Sequence, residues 1–298
     1  MADIASQQES VLDVQRPTLQ FSQATWWKVF SYSILIIGAV VSLIPFAWMI
    51  LKSLMSLGES LGSTLIPSEW HFENYVQAWQ EANFSQYFLN SVVNTVVTLG
   101  GELIFSIMAA YAFARMKFPG RDLIFAILLS SMMIPGMVTM IPNLLTVTWL
   151  GRVGPIPWID NWPALTIPFM GSVFSVFLLR QFFAQIPQEL FDAARIDGAG
   201  HLRILFTIVL PLSMAPIMVI IVLSFISTWN ALAWPLLVLN SPDWLPIAVG
   251  LLNFVSDEGS NLNLVMAGAF ITIVPILIMY FFTQKQFTES IARSGLKG

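Results

Sequence analysis

Glu189, Asp192, Arg195 and Asp197 fall within one nine-residue stretch of ELFDAARIDGAGHLRILFTIVLP (Glu189 to Pro211), which lies between two long apolar runs. Charge at this density cannot continue a lipid-spanning helix, so the segment is predicted to lie outside the hydrocarbon core. Pro187 suits a first helical position, and Glu189 and Asp192 follow where the helix dipole favours negative charge. Asp192 and Arg195 are three residues apart and can pair on one face. Ala193 and Ala194 are small enough for this helix to enter a narrow cleft. Gly198 can take the left-handed conformation that ends a helix, and Gly200 loosens the turn. Leu202, Leu205, Phe206 and Val209 then recur at i, i+3, i+4 and i+7, an apolar stripe, before Pro211 returns the chain to the membrane. Two readings follow from the residues alone: a docking element for another chain, or a plain loop joining two spans.

A second group of polar side chains sits inside an apolar run. Glu102 is preceded by Ser91, Thr95 and Thr98, and on a helix these four fall within about 60° of arc. An ionisable side chain at that depth is costly and seldom faces lipid. The stripe either lines a solute pathway or makes interhelical hydrogen bonds, with Glu102 held inside the bundle. A third group, Ser213, Ser224, Ser227, Thr228 and Ala231, shares a face further along, with Trp229, Asn230 and Trp234 near its outer end. Hydroxyls beside flat aromatic faces suit a sugar, and an aromatic belt at the membrane interface explains the tryptophans equally well.

Other chemistry finds no residues to carry it. The chain has no cysteine, and its two histidines, His71 and His201, lack ligand-spaced partners. No phosphate-binding loop, nucleophile elbow or metalloprotease motif is present. The chain is not expected to be an enzyme, to bind a metal or to contact nucleic acid.

The elements that must position these groups are membrane helices. Hydrophobic residues make up 56% of the chain and charged residues 10%, with a mean hydropathy of +0.75. Six runs are long and apolar enough to cross a bilayer as helix: Val29 to Leu51, Tyr87 to Ala114, Leu123 to Leu145, Pro163 to Phe183, Leu212 to Leu239 and Leu264 to Phe282. They are continuously apolar rather than alternating, which excludes a β-barrel. With the N-terminus in the cytoplasm, only Lys52 and Arg152 of the 13 basic residues fall outside. Both termini are therefore expected to be cytoplasmic. The polar start carries no cleavage signature, and the first run is too long for a signal-peptide core.

The loops differ in character. The first outside loop, Lys52 to Gln86, contains HFENYVQAWQ, which could form an amphipathic helix at the interface. The first inside loop, RMKFPGR, is short and basic. The third outside loop, Asn240 to Asn263, carries Pro242, Pro246 and the polar run SDEGSN. Pro45, Pro135, Pro142, Pro168, Pro216, Pro235 and Pro275 all fall within the runs and should bend or break their helices.

The run from Asp192 to Gly198, DAARIDG, followed by Ile208-Val-Leu-Pro211, resembles the EAA motif of ABC importer permeases, E-A-A-x-x-x-G, nine residues, then I-x-L-P. Asp192 stands where that motif has Glu. AYAFARMKFPGR (Ala110 to Arg121) and the ending SGLKG (Ser294 to Gly298) resemble the corresponding stretches of maltose-type permeases, with Leu296 in place of the usual Val. The resemblance implies an all-α integral membrane protein of the type I ABC importer permease fold, with six transmembrane helices. It implies a cytoplasmic tail at residues 1–28, a permease domain at 29–284 with its coupling-helix loop at 184–211, and a cytoplasmic tail at 285–298.

It further implies that Glu189, Asp192, Ala193, Ala194, Asp197 and Gly198 face one of two cytoplasmic ATPase subunits. ATP and Mg would sit on those partners, with no cofactor on this chain. A second related permease and an extracytoplasmic solute-binding protein complete the expected partners, in a bacterial or archaeal plasma membrane. The expected cargo is a sugar or oligosaccharide, with a glycerol-phosphate or glucosyl-polyol as the alternative within the same fold. An ion-coupled secondary transporter is the alternative of another class. It would use Glu102 as a cation or proton site, though no inverted repeat accompanies it.

Overall fold

The computed structural model describes residues 23–81, 83–256 and 259–295. Residues 1–22 of the expected N-terminal tail, Asp257 and Glu258 of the polar run, and Leu296 to Gly298 of the ending lie outside the described residues. The chain divides into a unit of residues 1–48 and a unit of residues 49–298. The first unit is the bulk of helix α1 (Gln23–Ser53), apolar on every side as a lipid-facing span must be.

The second unit begins with the end of α1 and two short helices, α2 (Leu57–Leu61) and α3 (Glu73–Glu81), then the long α4 (Phe84–Arg115). There follow α5 (Arg121–Ser131), α6 (Gly136–Val153), α7 (Trp162–Thr166), α8 (Val173–Gln185), α9 (Gln188–Ile196) and α10 (His201–Ile204). The rest comprises α11 (Leu210–Leu212), α12 (Met214–Trp229), α13 (Ala233–Val238), α14 (Ile247–Gly250) and α15 (Leu262–Gly295). Among the described residues the one departure from helix and loop is a two-residue antiparallel pair, Val255–Ser256 with Gly259–Ser260. The chain is thus essentially all-helical, as its composition requires.

Among the described residues four helical stretches are long and apolar enough to cross a membrane: Trp26–Ser53, Phe84–Arg115, Trp162–Gln185 and Leu262–Gln284. Two bent pairs bring the number to as many as six. Two expectations of continuous helix are corrected. The run from Leu123 to Leu145 breaks after Ser131, and α6 leaves α5 at 104°. Pro135 is the cause, because it lacks an N–H and pushes Ile134 out of the helical region. The run from Leu212 to Leu239 stops at Trp229, and α13 is a separate short helix. Pro216 and Pro235 lie in the first turns of α12 and α13, where a missing N–H removes no helical bond. Among the described residues Pro45, Pro142 and Pro275 are the prolines that lie beyond the first turn of a helix. The final helix also runs past the expected end at Phe282, reaching Gly295.

α4 is the axis of the second unit. One apolar cluster joins Tyr111 and Phe113 of α4 to Phe125, Leu179, Phe183, Phe191, Ile204 and Val209. Another joins Phe84 and Tyr87 to Ala78, Trp229, Ile247, Phe254 and Leu264. The third outside loop contributes to this second cluster by folding back on α4, where Gln86 and Asn90 donate to the carbonyls of Asp243 and Leu245. The approach is so close that a Cβ on Gly250 would sit 2.6 Å from the Tyr87 ring. α3 is the amphipathic helix expected at HFENYVQAWQ, but its inner face packs on protein: Asn74 is buried and accepts from Asn263 at the start of α15. The buried Lys52 ammonium ties this region down, donating to the carbonyls of Glu59, Gly62 and Thr64 at 2.9 to 3.3 Å.

Candidate functional site

Two places gather the polar residues singled out by the sequence. The first is the α9–α10 turn. Pro187 caps α9 one position earlier than expected, and Glu189 follows in the first turn. Arg195 Nη1 donates to Asp192 Oδ1 at 3.2 Å, and Gln188 Nε2 donates to the same oxygen at 2.9 Å. The helix ends with Gly198 at φ +74°, the left-handed geometry that favours glycine. The Gly198 amide donates to Arg195 O and the Ala199 amide to Ala194 O, so the last carbonyls are satisfied by a Schellman closure. Phe191 is buried beneath the helix, Ala194 is half-buried, and Asp192, Ala193, Asp197 and Gly198 lie exposed. Ile196 is 87% exposed, an unpartnered apolar side chain at the end of a polar helix.

The apolar stripe expected beyond Gly200 does not form as drawn. Leu202 and Phe206 are 66% and 63% exposed, and the buried residues are Ile204, Leu205 and Val209. Residues Leu205–Val209 form a π turn, closed by the Leu210 amide on Leu205 O. This wider turn rotates the following residues out of the 3.6-residue register, and it precedes Pro211, whose ring would otherwise crowd the carbonyl of Thr207. The chain then bends by 79° into α12.

Arg115, at the end of α4, fixes this element from below. Its Nε donates to Phe183 O at 2.9 Å, and Nη2 reaches both Phe183 O and Ile186 O. Nη1 meets Gln188 Oε1 at 3.2 Å, and the guanidinium lies 4.1 Å from the centroid of the Phe191 ring. One side chain therefore caps α8 and seats α9. Tyr111, one turn earlier on α4, meets His201 Nδ1 at 3.1 Å. In the sequence Arg115 opens the basic loop RMKFPGR and belongs to the stretch Ala110 to Arg121. Its position four residues after Tyr111 on one helical face was the available signal.

The second place is a cavity of about 260 Å³ lined by Thr98 and Glu102 of α4, Pro168, Phe169, Gly171 and Ser172 just before α8, and Ser224, Ser227 and Thr228 of α12. Phe169, Ser227 and Thr228 also line an adjoining cavity of about 250 Å³ that includes Asn94, Ala231 and Trp234. Ser91, Thr95, Thr98 and Glu102 are all buried, as their shared arc predicts. Both readings of the stripe find support in the contacts. Ser91 Oγ accepts from the Ile247 amide at 2.8 Å, an interhelical bond. Glu102 Oε1 accepts from Ser175 Oγ at 2.6 Å, and the same carboxylate lines the cavity.

Other expected lining residues are elsewhere. Trp229 is 1% exposed, stacked on Phe225 with its indole N–H on Thr272 O, so it belongs to the core and not to the cavity. A large ring at the end of an apolar helix buries itself whenever neighbouring helices offer a carbonyl. Asn230 turns its amide onto Ile226 O, capping α12, and Ser213 is buried at the α11–α12 bend. Ser172 and Ser175 were missed because the run from Pro163 to Phe183 reads as one helix. The pattern Gly171-Ser172-x-x-Ser175, with Ser172 Oγ accepting from the Ser175 amide at 3.2 Å, is a helix start that could have revealed them. No group of three or more potential metal-ligating side chains occurs among the described residues.

Comparison with known proteins adds a lineage to this geometry. The family model described as binding-protein-dependent transport system inner membrane component matches residues 102–286. The diacetylchitobiose uptake system permease protein of Streptomyces coelicolor is 30% identical over 275 residues, covering 91% of this chain and 89% of the relative. The sn-glycerol-3-phosphate transport system permease protein of Yersinia pestis is 30% identical over 276 residues, covering 89% of this chain and 96% of the relative. Among solved structures, a chain of a bacterial ABC transporter involved in the import of the acidic polysaccharide alginate superposes with a TM-score of 0.76 at 26% identity. That match covers 87% of this chain and 95% of the other.

Proposed function

The chain belongs to the family of binding-protein-dependent transport system inner membrane components, and from that premise we propose that it forms half of the translocation pathway of an ATP-driven sugar or oligosaccharide importer. In this reading a second, related permease supplies the other half. Two cytoplasmic ATPase subunits hold ATP and Mg, and this chain carries neither cofactor nor catalytic residue. An extracytoplasmic solute-binding protein delivers the sugar to the outer loops, with the exposed part of residues 240–263 as its contact. The two bent pairs count as one span each, giving six spans with both termini in the cytoplasm of a bacterial or archaeal cell. Residues 29–284 are then the permease domain, and 1–28 and 285–298 its tails.

The observation that carries the reading is the α9–Gly198–α10 element. Its surface presents Asp192, Ala193, Ile196 and Asp197, while Phe191 and Arg115 lock its underside to α4 and α8. A small, charged, partly apolar knob on a rigid base is suited to entering a cleft on a partner, and movement of that partner would be carried into the span that holds Glu102. Asp192 in place of Glu keeps the charge on a side chain shorter by one methylene.

Gly198→Asp tests this. A side chain at φ +74° costs about 1 kcal/mol and adds bulk at the docking surface. Membrane insertion should persist while ATP-dependent uptake falls at least tenfold and ATPase recovery with the tagged chain drops. Full uptake by this variant removes the coupling role. The glycerol-phosphate relative favours a second cargo within the same fold, and sugar-stimulated against phosphoester-stimulated ATPase activity of the purified complex separates the two.

A further inference from the structure

The cavity between α4, α8 and α12 holds an acidic side chain that bears on which solutes can pass. Its polar lining consists of the Glu102 carboxylate and the hydroxyls of Thr98, Ser172, Ser224, Ser227 and Thr228. No Lys, Arg or His is among its lining residues. Glu102 is 5% exposed and has no ion pair among the described residues; the Ser175 hydroxyl, in the first turn of α8, is its hydrogen-bond donor at 2.6 Å. The N-terminal turn of a helix bears partial positive charge, so a carboxylate placed there is stabilised without a counter-cation. In a site of low dielectric, like charges a few ångströms apart repel far more strongly than they do in water.

We propose that Glu102 is a specificity-determining residue that makes this cavity selective for neutral polyhydroxylated solutes and excludes phosphorylated or carboxylated ones. The five hydroxyls supply both donors and acceptors for sugar hydroxyls, and Phe169 supplies a flat apolar face. An anionic solute would need a compensating cation that this lining lacks. The inference rests on the pathway reading given above, but its test reads the charge of the cavity directly.

The chain has no cysteine, so a single Ser224→Cys or Thr228→Cys reports on the cavity alone. Each is introduced into the full chain and purified with its co-assembling subunits, those subunits rendered cysteine-free. Each is then labelled with small cationic and anionic methanethiosulfonates of similar size. The ratio of cationic to anionic labelling rates is compared between Glu102 and Glu102→Gln backgrounds. The expected result is a fall in that ratio of at least about tenfold on removing the charge. A neutral oligosaccharide should also slow labelling in the Glu102 background, while an inorganic phosphate control should do so only after Glu102→Gln. An unchanged ratio overturns the proposal, as does failure of either cysteine to react during turnover. If Glu102→Gln prevents assembly, Glu102→Asp with the same ratio measurement decides, since it keeps the charge and should retain the selectivity. Loss of selectivity in Glu102→Asp counts against the proposal. A normal labelling ratio in a complex that transports no sugar would refute the transport reading while leaving the cavity's charge selectivity intact.

Discussion

Arg115 shows what a single side chain contributes at the joint between span and loop. Its guanidinium satisfies the carbonyls of Phe183 and Ile186 and stacks on Phe191. Arg115→Ala leaves Ile186 O without this donor and Phe183 O with only the Ile186 amide at 3.4 Å, and an unsatisfied buried carbonyl costs about 1 to 3 kcal/mol. The expected outcome is proteolytic cleavage near Ile186 in a variant that still inserts, with uptake reduced at least tenfold. Arg115→Lys should recover only part of this, because an ammonium cannot cap two carbonyls and stack at once. At this scale the sequence was informative where chemistry is local. The Asp192–Arg195 pair and the left-handed Gly198 follow from spacing and residue type, and both are present. It was uninformative where a side chain's destiny depends on a distant neighbour. Trp229 went to the core because Thr272, 43 residues later, offers a carbonyl, and Ser175 found Glu102 across a gap of 73 residues.

Among elements, breaks decide the architecture more than spans do. The apolar runs announce helices, yet their ends depend on proline position, and the π turn before Pro211 undid a stripe that ideal periodicity would have drawn. The outer loops are held by two devices that no periodicity reveals. Gly250 lets the third outer loop approach Tyr87, so Gly250→Val should overpack this contact and cost about 1 to 3 kcal/mol, read as a lower Tm of the purified complex. Asp160, itself at φ +59°, accepts from the amides of Asn240 and Ser241 at 2.9 and 2.8 Å. Those amide bonds, Ser241's first, hold its carboxyl below the ordinary carboxylate range. A group whose pKa is depressed on folding adds stability above its unfolded pKa and loses it as pH falls through the folded value. The Tm gap between the natural chain and Asp160→Asn should therefore hold from neutral pH down to about 4 and narrow below it.

For the molecule as a whole, the exposed surface tells the environment. Met133 and Met137 at the α5–α6 break are 84% and 79% exposed, and apolar side chains cover much of the helices' outer surface. In water this would be an aggregating surface; in a bilayer it is an ordinary one. The 34 residues of α15 extend about 51 Å, well beyond a hydrocarbon core of about 30 Å, so one end must project into water. Length, hydropathy and charge asymmetry made the membrane class legible at once, whereas the count of spans depended on how α5 with α6, and α10 to α12, bend. The α9–Gly198–α10 element is the proposed docking place of the ATPase subunit. The most direct test places a benzophenone-maleimide on Ala193→Cys in the tagged chain, followed by photolysis in membranes and identification of the adduct. The expected result is a single major adduct with a nucleotide-binding ATPase subunit, its yield changing between nucleotide-free and ATP-bound states. An ATPase that co-purifies with the chain but never forms this adduct, while Lys117→Cys in the neighbouring inside loop does, would contradict it.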